Sequence, residues 1–155
     1  MIENKLSFPK IVGGVLFLLI AAVIQLKLQA SFAWTFDLLI VVSLLVPLFL
    51  TFSEFVFFYG FYLFLFFGLL LPGTERAFVS ILPVVGFASQ NFFPWQSWFS
   101  SFFMSTLGIG AFYLLIATQS LFSNPTFMLF NLATSSLFGW GVFLLMRGFM
   151  RGHNL

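Results

Sequence analysis

Charge is nearly absent from the body of this chain and gathered at its two ends. Of six Lys and Arg in 155 residues, Lys5 and Lys10 precede the first apolar run, and Arg147 and Arg151 follow the last. Over the whole chain 61% of residues are hydrophobic, 22% aromatic and 6% charged, with mean hydropathy +1.13. A water-soluble domain carries about 25% charged residues. Too little polar surface exists here to cover a globule, so lipid is the expected solvent. Basic residues flanking both ends place both termini on the cytoplasmic side, and that requires an even number of spans.

A spanning helix uses about 20 residues, so six of them with short connections consume the chain. The expectation is all-α: a polytopic membrane helix bundle of six transmembrane helices, forming a single integral membrane domain over 1–155. A membrane β-barrel does not fit, because the apolar runs are continuous and lack a two-residue alternation. The net charge of +2 is no nucleic-acid footprint, since the basic residues flank spans and form no patch. Cysteine is absent, which removes disulfides, thiolate nucleophiles and Cys metal sites from consideration.

The spans read as residues 11–26, 34–52, 55–71, 77–92, 97–120 and 126–146. The first competes with a cleaved signal peptide, because Ser31-Phe32-Ala33 resembles a small-x-small cleavage site. Against that, the run is long and Lys27 intervenes. The second span opens near Trp34 and Asp37, and Pro47 in its body predicts a bend. The third is Phe-rich all the way round, opened by Ser53-Glu54 and closed by Pro72-Gly73. The fourth is short and carries Pro83 and Gly86, so a re-entrant or broken helix competes with a full span. Phe93-Pro94-Trp95-Gln96 and Ser123-Asn124-Pro125 are turns, with Trp95 and Trp98 at a membrane face.

Small and polar residues form two patterned faces. Ser97, Ser101, Ser105 and Gly108, continued by Phe112, recur at helical spacing in the fifth span. Asn131, Ser135 and Gly139 recur every fourth residue in the sixth. Such faces let helices approach closely and bond across the contact, so the two are expected to pack against each other or against a partner helix. A polar cavity is the competing use of Gln90, Asn91 and Asn131, with Ser135 beside them. Asp37 and Glu54 fall at helix ends, where interface anchoring competes with an ion or proton role. His153 is the only histidine and lies in the tail, so a metal site has no second ligand. No nucleophile–base pair and no phosphate loop can be assembled, so no enzyme activity and no cofactor are expected.

Three stretches then carry a family resemblance: Phe36-Asp37-Leu38-Leu39, Phe67-Gly68-Leu69-Leu70-Leu71, and Phe93-Pro94-Trp95-Gln96-Ser97 with the following run to Phe112-Tyr113-Leu114-Leu115. Across residues 34–120 the chain resembles the rod shape-determining protein MreD family. Where that family often has proline-aspartate, Phe36-Asp37 keeps only the acid, and Pro72 stands where an aspartate often follows the Gly-Leu-Leu-Leu run. The resemblance implies a non-enzymatic inner-membrane scaffold of the cell-wall elongation machinery, linking MreC to cytoplasmic MreB. It also implies a fold like that of the substrate-binding subunits of energy-coupling-factor transporters. A small-solute, vitamin-like binding subunit is the alternative function.

Overall fold

The computed structural model describes residues 7–31, 38–68, 73–91, 98–116 and 118–151. Among them the chain is helical throughout, without strands. Helix α1 covers Phe8–Ser31, α2 Leu38–Leu45, α3 Phe52–Gly68, α4 Gly73–Ser89, α5 Trp98–Leu115, α6 Thr118–Ser123 and α7 Pro125–Arg151. A 3-10 turn over Val46–Phe49 extends α2. Two helices, α1 and α7, are long and apolar enough to cross a membrane, over Phe8–Lys27 and Pro125–Phe149. Apolar stretches in α2 to α5 are shorter. Asp37, Ser97, Trp95 and His153 lie outside the described residues.

The helices run up and down. Phe149, late in α7, stacks edge-on against Phe17 of α1 at 6.2 Å between ring centroids. The Ser7 amide, just before α1, reaches Glu54 at the start of α3, and Gln90 after α4 reaches Leu50 after α2. These contacts define one end of the bundle, called here the near end, which holds the start of α1 and the end of α7. Gln25 late in α1 meets Leu39 early in α2, marking the opposite, far end. Phe78 early in α4 meets Phe112 late in α5 at 5.7 Å, toward that same end.

Helix α2 is the axis of the bundle. Residues from Leu38 to Pro47 are buried except Leu39, which is half-buried, and α1, α4, α5 and α7 all pack on it. Pro47 has no N–H to give the Ser43 carbonyl, so the α-ladder cannot continue and the chain tightens into the 3-10 turn. The expected bend at Pro47 thus takes the form of a change of helix type. Eight α and four 3-10 residues make α2 about 20 Å long, short of the roughly 30 Å hydrocarbon thickness. Its ends therefore require partners from neighbouring helices, and both have them.

Two sequence expectations need correction here. Span five does not run unbroken to residue 120: α5 ends at Leu115, and α6 is a separate short helix, with the Thr118 hydroxyl donating to the Leu114 carbonyl at 3.0 Å. Phe does lie on every side of helix α3, and those sides differ in burial. Glu54, Phe55, Phe58 and Tyr62 are buried, while Phe52, Phe57, Phe61 and Phe64 face outward. Its start is also set by Thr51 and Glu54 rather than Ser53-Glu54: Glu54 Oε2 accepts the Thr51 amide at 2.8 Å, three residues apart, as in a capping box. Helix α4 is continuous through Pro83 over its seventeen residues.

Candidate functional site

Among the described residues, much of the polar chemistry is interior, and part of it joins helices. Ser43, Glu54, Ser89, Ser101, Ser105, Asn131, Ser135 and Ser136 are all buried, while the exposed surface is rich in Phe, Leu, Ile and Val. A buried polar group is costly unless it is bonded, so the partners of these groups define what the interior does.

One polar cluster lies where α2, α3 and α4 meet. Pro83 of α4 removes the N–H that would have bonded the carbonyl four residues earlier, which belongs to Val79. The Tyr62 hydroxyl of α3 donates to that carbonyl at 2.8 Å. Ser43 Oγ of α2 lies 3.0 Å from the same phenol oxygen. A phenol carries one proton, so with that proton on Val79 the Ser43 hydroxyl is placed to donate to Tyr62. One turn earlier on α3, Tyr59 donates to the Ser80 carbonyl at 3.1 Å. Two tyrosines thus clasp the carbonyls beside the proline break. Close backbone contact completes the fit: a Cβ on Gly86 would overlap the Leu44 carbonyl oxygen.

The second cluster is the α5–α7 seam, the most extensive helix pair in the bundle. A Cβ on Gly139 would lie 2.5 Å from Ser105 Oγ and 3.0 Å from Val41 Cγ1, so glycine is what admits α5 and α2 here. Thr106 and Ser136 share a hydroxyl–hydroxyl bond of 2.9 Å. Asn131 Nδ2 donates to the Tyr113 hydroxyl, and Ser135 Oγ lies 3.5 Å from Asn131 Oδ1. Ser105 returns its own hydroxyl to the Ser101 carbonyl at 2.8 Å. Ser105, Asn131, Ser135 and Gly139 therefore share this seam. Gly108 does not: its Cβ position is filled by Leu44 of α2, with Ile40 at 3.7 Å. Helical rotation explains this, since Gly108 is about 60° short of a full turn from Ser105.

The third set of contacts caps helix ends. Gln25 Oε1 of α1 accepts the Leu39 amide at 2.8 Å, taking one of the donors that the start of α2 cannot satisfy itself. Gln90 Nε2 donates to the carbonyls of Pro47 at 2.7 Å and Leu50 at 2.9 Å, taking acceptors at its other end. Glu54 is 1% exposed, against the expectation that it reaches headgroup water. Its Oε1 accepts the Ser7 amide at 2.9 Å and its Oε2 the Thr51 amide at 2.8 Å. One carboxylate thus sits between the N-terminal ends of α1 and α3, where both helix dipoles favour negative charge.

The expected polar cavity is not assembled. Gln90 is committed to the end of α2, Asn91 is exposed, and Asn131 is buried against Tyr113. Gln90 stands twelve residues along α4 from Phe78, roughly 18 Å by helical rise. Phe78 in turn touches Phe112, next to Tyr113. Gln90 and Asn131 therefore occupy opposite halves of the bundle. A cavity that is present, of about 390 Å³, is apolar and lies on the outer side of α1 and α3. Among the described residues no three His, Cys, Asp or Glu cluster as metal ligands would.

Several members of these clusters carried a signal that spacing alone does not expose. The chain has 27 Phe but only 3 Tyr, and each of those, Tyr59, Tyr62 and Tyr113, has its hydroxyl in an interhelical bond. A phenol placed among so many phenyls marks an interior carbonyl or amide. Compared with protein-family models, curated proteins and solved structures, the chain matches none.

Proposed function

We propose that this protein is a polytopic inner-membrane helix bundle, with both termini in the cytoplasm, that works as a non-enzymatic scaffold for other membrane proteins. The observation that carries the proposal is the inverted distribution of polarity. Serine, asparagine and glutamate are buried, with Ser43, Ser136, Asn131 and Glu54 bonded between helices, while large apolar side chains such as Phe64 (76% exposed) and Leu145 (67% exposed) cover the outside. In hydrocarbon every backbone group must be satisfied by protein, and the amide caps on both ends of the short α2 meet that demand. Polar side chains spent on holding helices together are not gathered around a substrate.

The finer assignment is an MreD-type scaffold of the cell-wall elongation machinery, beside an MreC-like single-span partner. Its support is the resemblance over residues 34–120 and a compact bundle whose first and last helices share the near end. Co-purification of a tagged copy from native membranes tests it: a single-span MreC-like protein should be retained. A chain that stays monomeric and partner-free there overturns the scaffold assignment. Reporters fused at the two termini test the topology, and reporters on opposite faces of the bilayer overturn it. The alternative, a vitamin-like solute subunit, has no observation in its favour now that Gln90 and Asn131 stand apart.

A further inference from the structure

Two helices of this bundle begin on one carboxylate, and the acid belongs to only one of them. In α3 the pattern is that of a capping box: Thr51 precedes the helix, and Glu54, three residues on, accepts the Thr51 amide at 2.8 Å. The same two positions of α1 hold Ser7 and Lys10. The Ser7 carbonyl accepts the Lys10 amide at 3.0 Å. A lysine side chain carries only donors, however, and cannot accept a bond from the Ser7 amide in return. No acid lies in the first turn of α1. The Ser7 amide donates instead to Glu54, 47 residues along the chain, at 2.9 Å. Helix α1 thus takes from α3 the acceptor that its own third position lacks.

A capping box works with either Glu or Gln, so the cap of α3 alone does not call for a charge. The second bond does. An ionised carboxyl offers two acceptor oxygens where a Gln offers one, and here Oε1 and Oε2 each take an amide. A proton on Glu54 turns one of them into a hydroxyl, a donor facing a donor. Thr51 is held within one turn of its acceptor, so its bond survives on the remaining oxygen. The acceptor of Ser7 belongs to another helix, so Ser7 is the partner given up. Helices α1 and α4 pack on α3. At this end α1 carries Lys10, and α4 has no charged residue from Ala77 to Gln90. On α3 itself the titratable neighbour is Tyr59, whose hydroxyl donates to the Ser80 carbonyl. Among the described residues, none of these groups replaces the lost acceptor.

We infer that Glu54 is a proton-released latch on the start of α1. The carboxylate holds α1 to α3, and the neutral acid lets the Ser7 amide go while α3 keeps its cap. The test follows amide hydrogen exchange by NMR in the full chain in detergent micelles, corrected for intrinsic exchange rates. Protein carboxyls take up protons between about pH 7 and about pH 4. Over that interval protection at Ser7 should fall at least about tenfold, the scale of one lost acceptor. Thr51 should lose less than about threefold, and Ser43 in α2 should not change. Equal losses at Ser7 and Thr51 overturn the latch. A parallel loss at Ser43 marks general unfolding and overturns it too.

Two variants assign the response. Glu54→Gln keeps the capping box of α3 but supplies a single acceptor. At neutral pH it should already show the low Ser7 protection of the acidified protein, with no further fall on acidification. Lys10→Gln leaves Glu54 in place and gives α1 a capping box of its own, whose acceptor takes up no proton. Ser7 should then stay protected in acid. Helicity should be equal in both variants. If Glu54→Gln fails to fold, Lys10→Gln, at a half-buried position, decides alone. A fall in Ser7 protection of undiminished size in either variant overturns the latch.

Discussion

Where α3 meets α4, phenol hydroxyls reach across to the Val79 carbonyl that a proline has left over and to the Ser80 carbonyl beside it. Where α5 meets α7, small side chains let two helices close until hydroxyl touches hydroxyl. The first contact bonds a large side chain to backbone, through Tyr62 and Val79. The second bonds side chain to side chain, through Thr106 and Ser136 and through Asn131 and Tyr113. Both give buried polar groups partners, but they fail differently. A phenol can be withdrawn, leaving one orphaned carbonyl. A seam of small residues can only be overfilled. The same comparison applies to glycine: Gly86 faces backbone and Gly139 faces a side chain.

The largest expected effect separates those two glycines. In Gly86→Ala the new methyl falls on the Leu44 carbonyl oxygen, which cannot rotate away. The variant should lose about 3 kcal/mol, the upper end of the overpacking range, even after the gain in helix propensity. Gly139→Ala meets Ser105 Oγ, which can turn aside, and should lose only about 1 kcal/mol. Melting curves in detergent micelles, followed by circular dichroism, give the order. Equal losses would erase the distinction between the two contacts.

Next in size is the near end, where neither device is used. Glu54→Ala strips the acceptor from the amides of Ser7 and Thr51. Both amides are part-buried, so losing their shared acceptor should cost about 1–2 kcal/mol, within the range for a lost helix cap. Hydrogen exchange should rise at Ser7 and Thr51 and stay unchanged at Ser43. Protection preserved at both amides would show that the carboxylate does not tie α1 to α3.

The proline clasp is tested by a cycle. Tyr62→Phe orphans the Val79 carbonyl and should cost about 1 kcal/mol, within the range for interhelical bonds in membrane proteins. Pro83→Ala restores an N–H that can reach the same carbonyl. In the Pro83→Ala background, Tyr62→Phe should therefore cost less, by about 0.5 kcal/mol or more. Strict additivity would mean that Tyr62 does not stand in for the missing amide.

These two regions were not equally legible in the sequence. The α5–α7 faces could be read because small residues at steps of four lie on one side of a helix whatever surrounds it, and Ser105 and Gly139 do meet. The step of three from Ser105 to Gly108 suggests the same face by spacing alone. Three residues turn a helix by 300° rather than 360°, and the deficit carried it to α2. The clasp could not be read, because it depends on Pro83 and Tyr62 arriving at one level from different helices. A run of phenylalanines hides that register, and only the rarity of tyrosine hints at it. Glu54 departs from expectation for a related reason: helix ends are wet on average, but the amides of Ser7 and Thr51 both close on this carboxylate.

The smallest effect has the opposite sign. Gly60 lies on the exposed side of α3, and a Cβ built there meets nothing within 4 Å. Gly60→Ala therefore adds a methyl on the exposed side and removes a glycine from a helix interior, a gain of roughly 0.5–1 kcal/mol. The chemical change matches that at Gly86, so the difference in sign isolates the neighbour as the cause. Detergent micelles and native membranes should agree if α3 faces only lipid at this level. A variant stabilised in micelles but destabilised in native membranes would place another chain against Gly60. The outer side of α3 would then be a packed contact like the inner ones, and the division between bonded interior and apolar exterior would have to be redrawn along that helix.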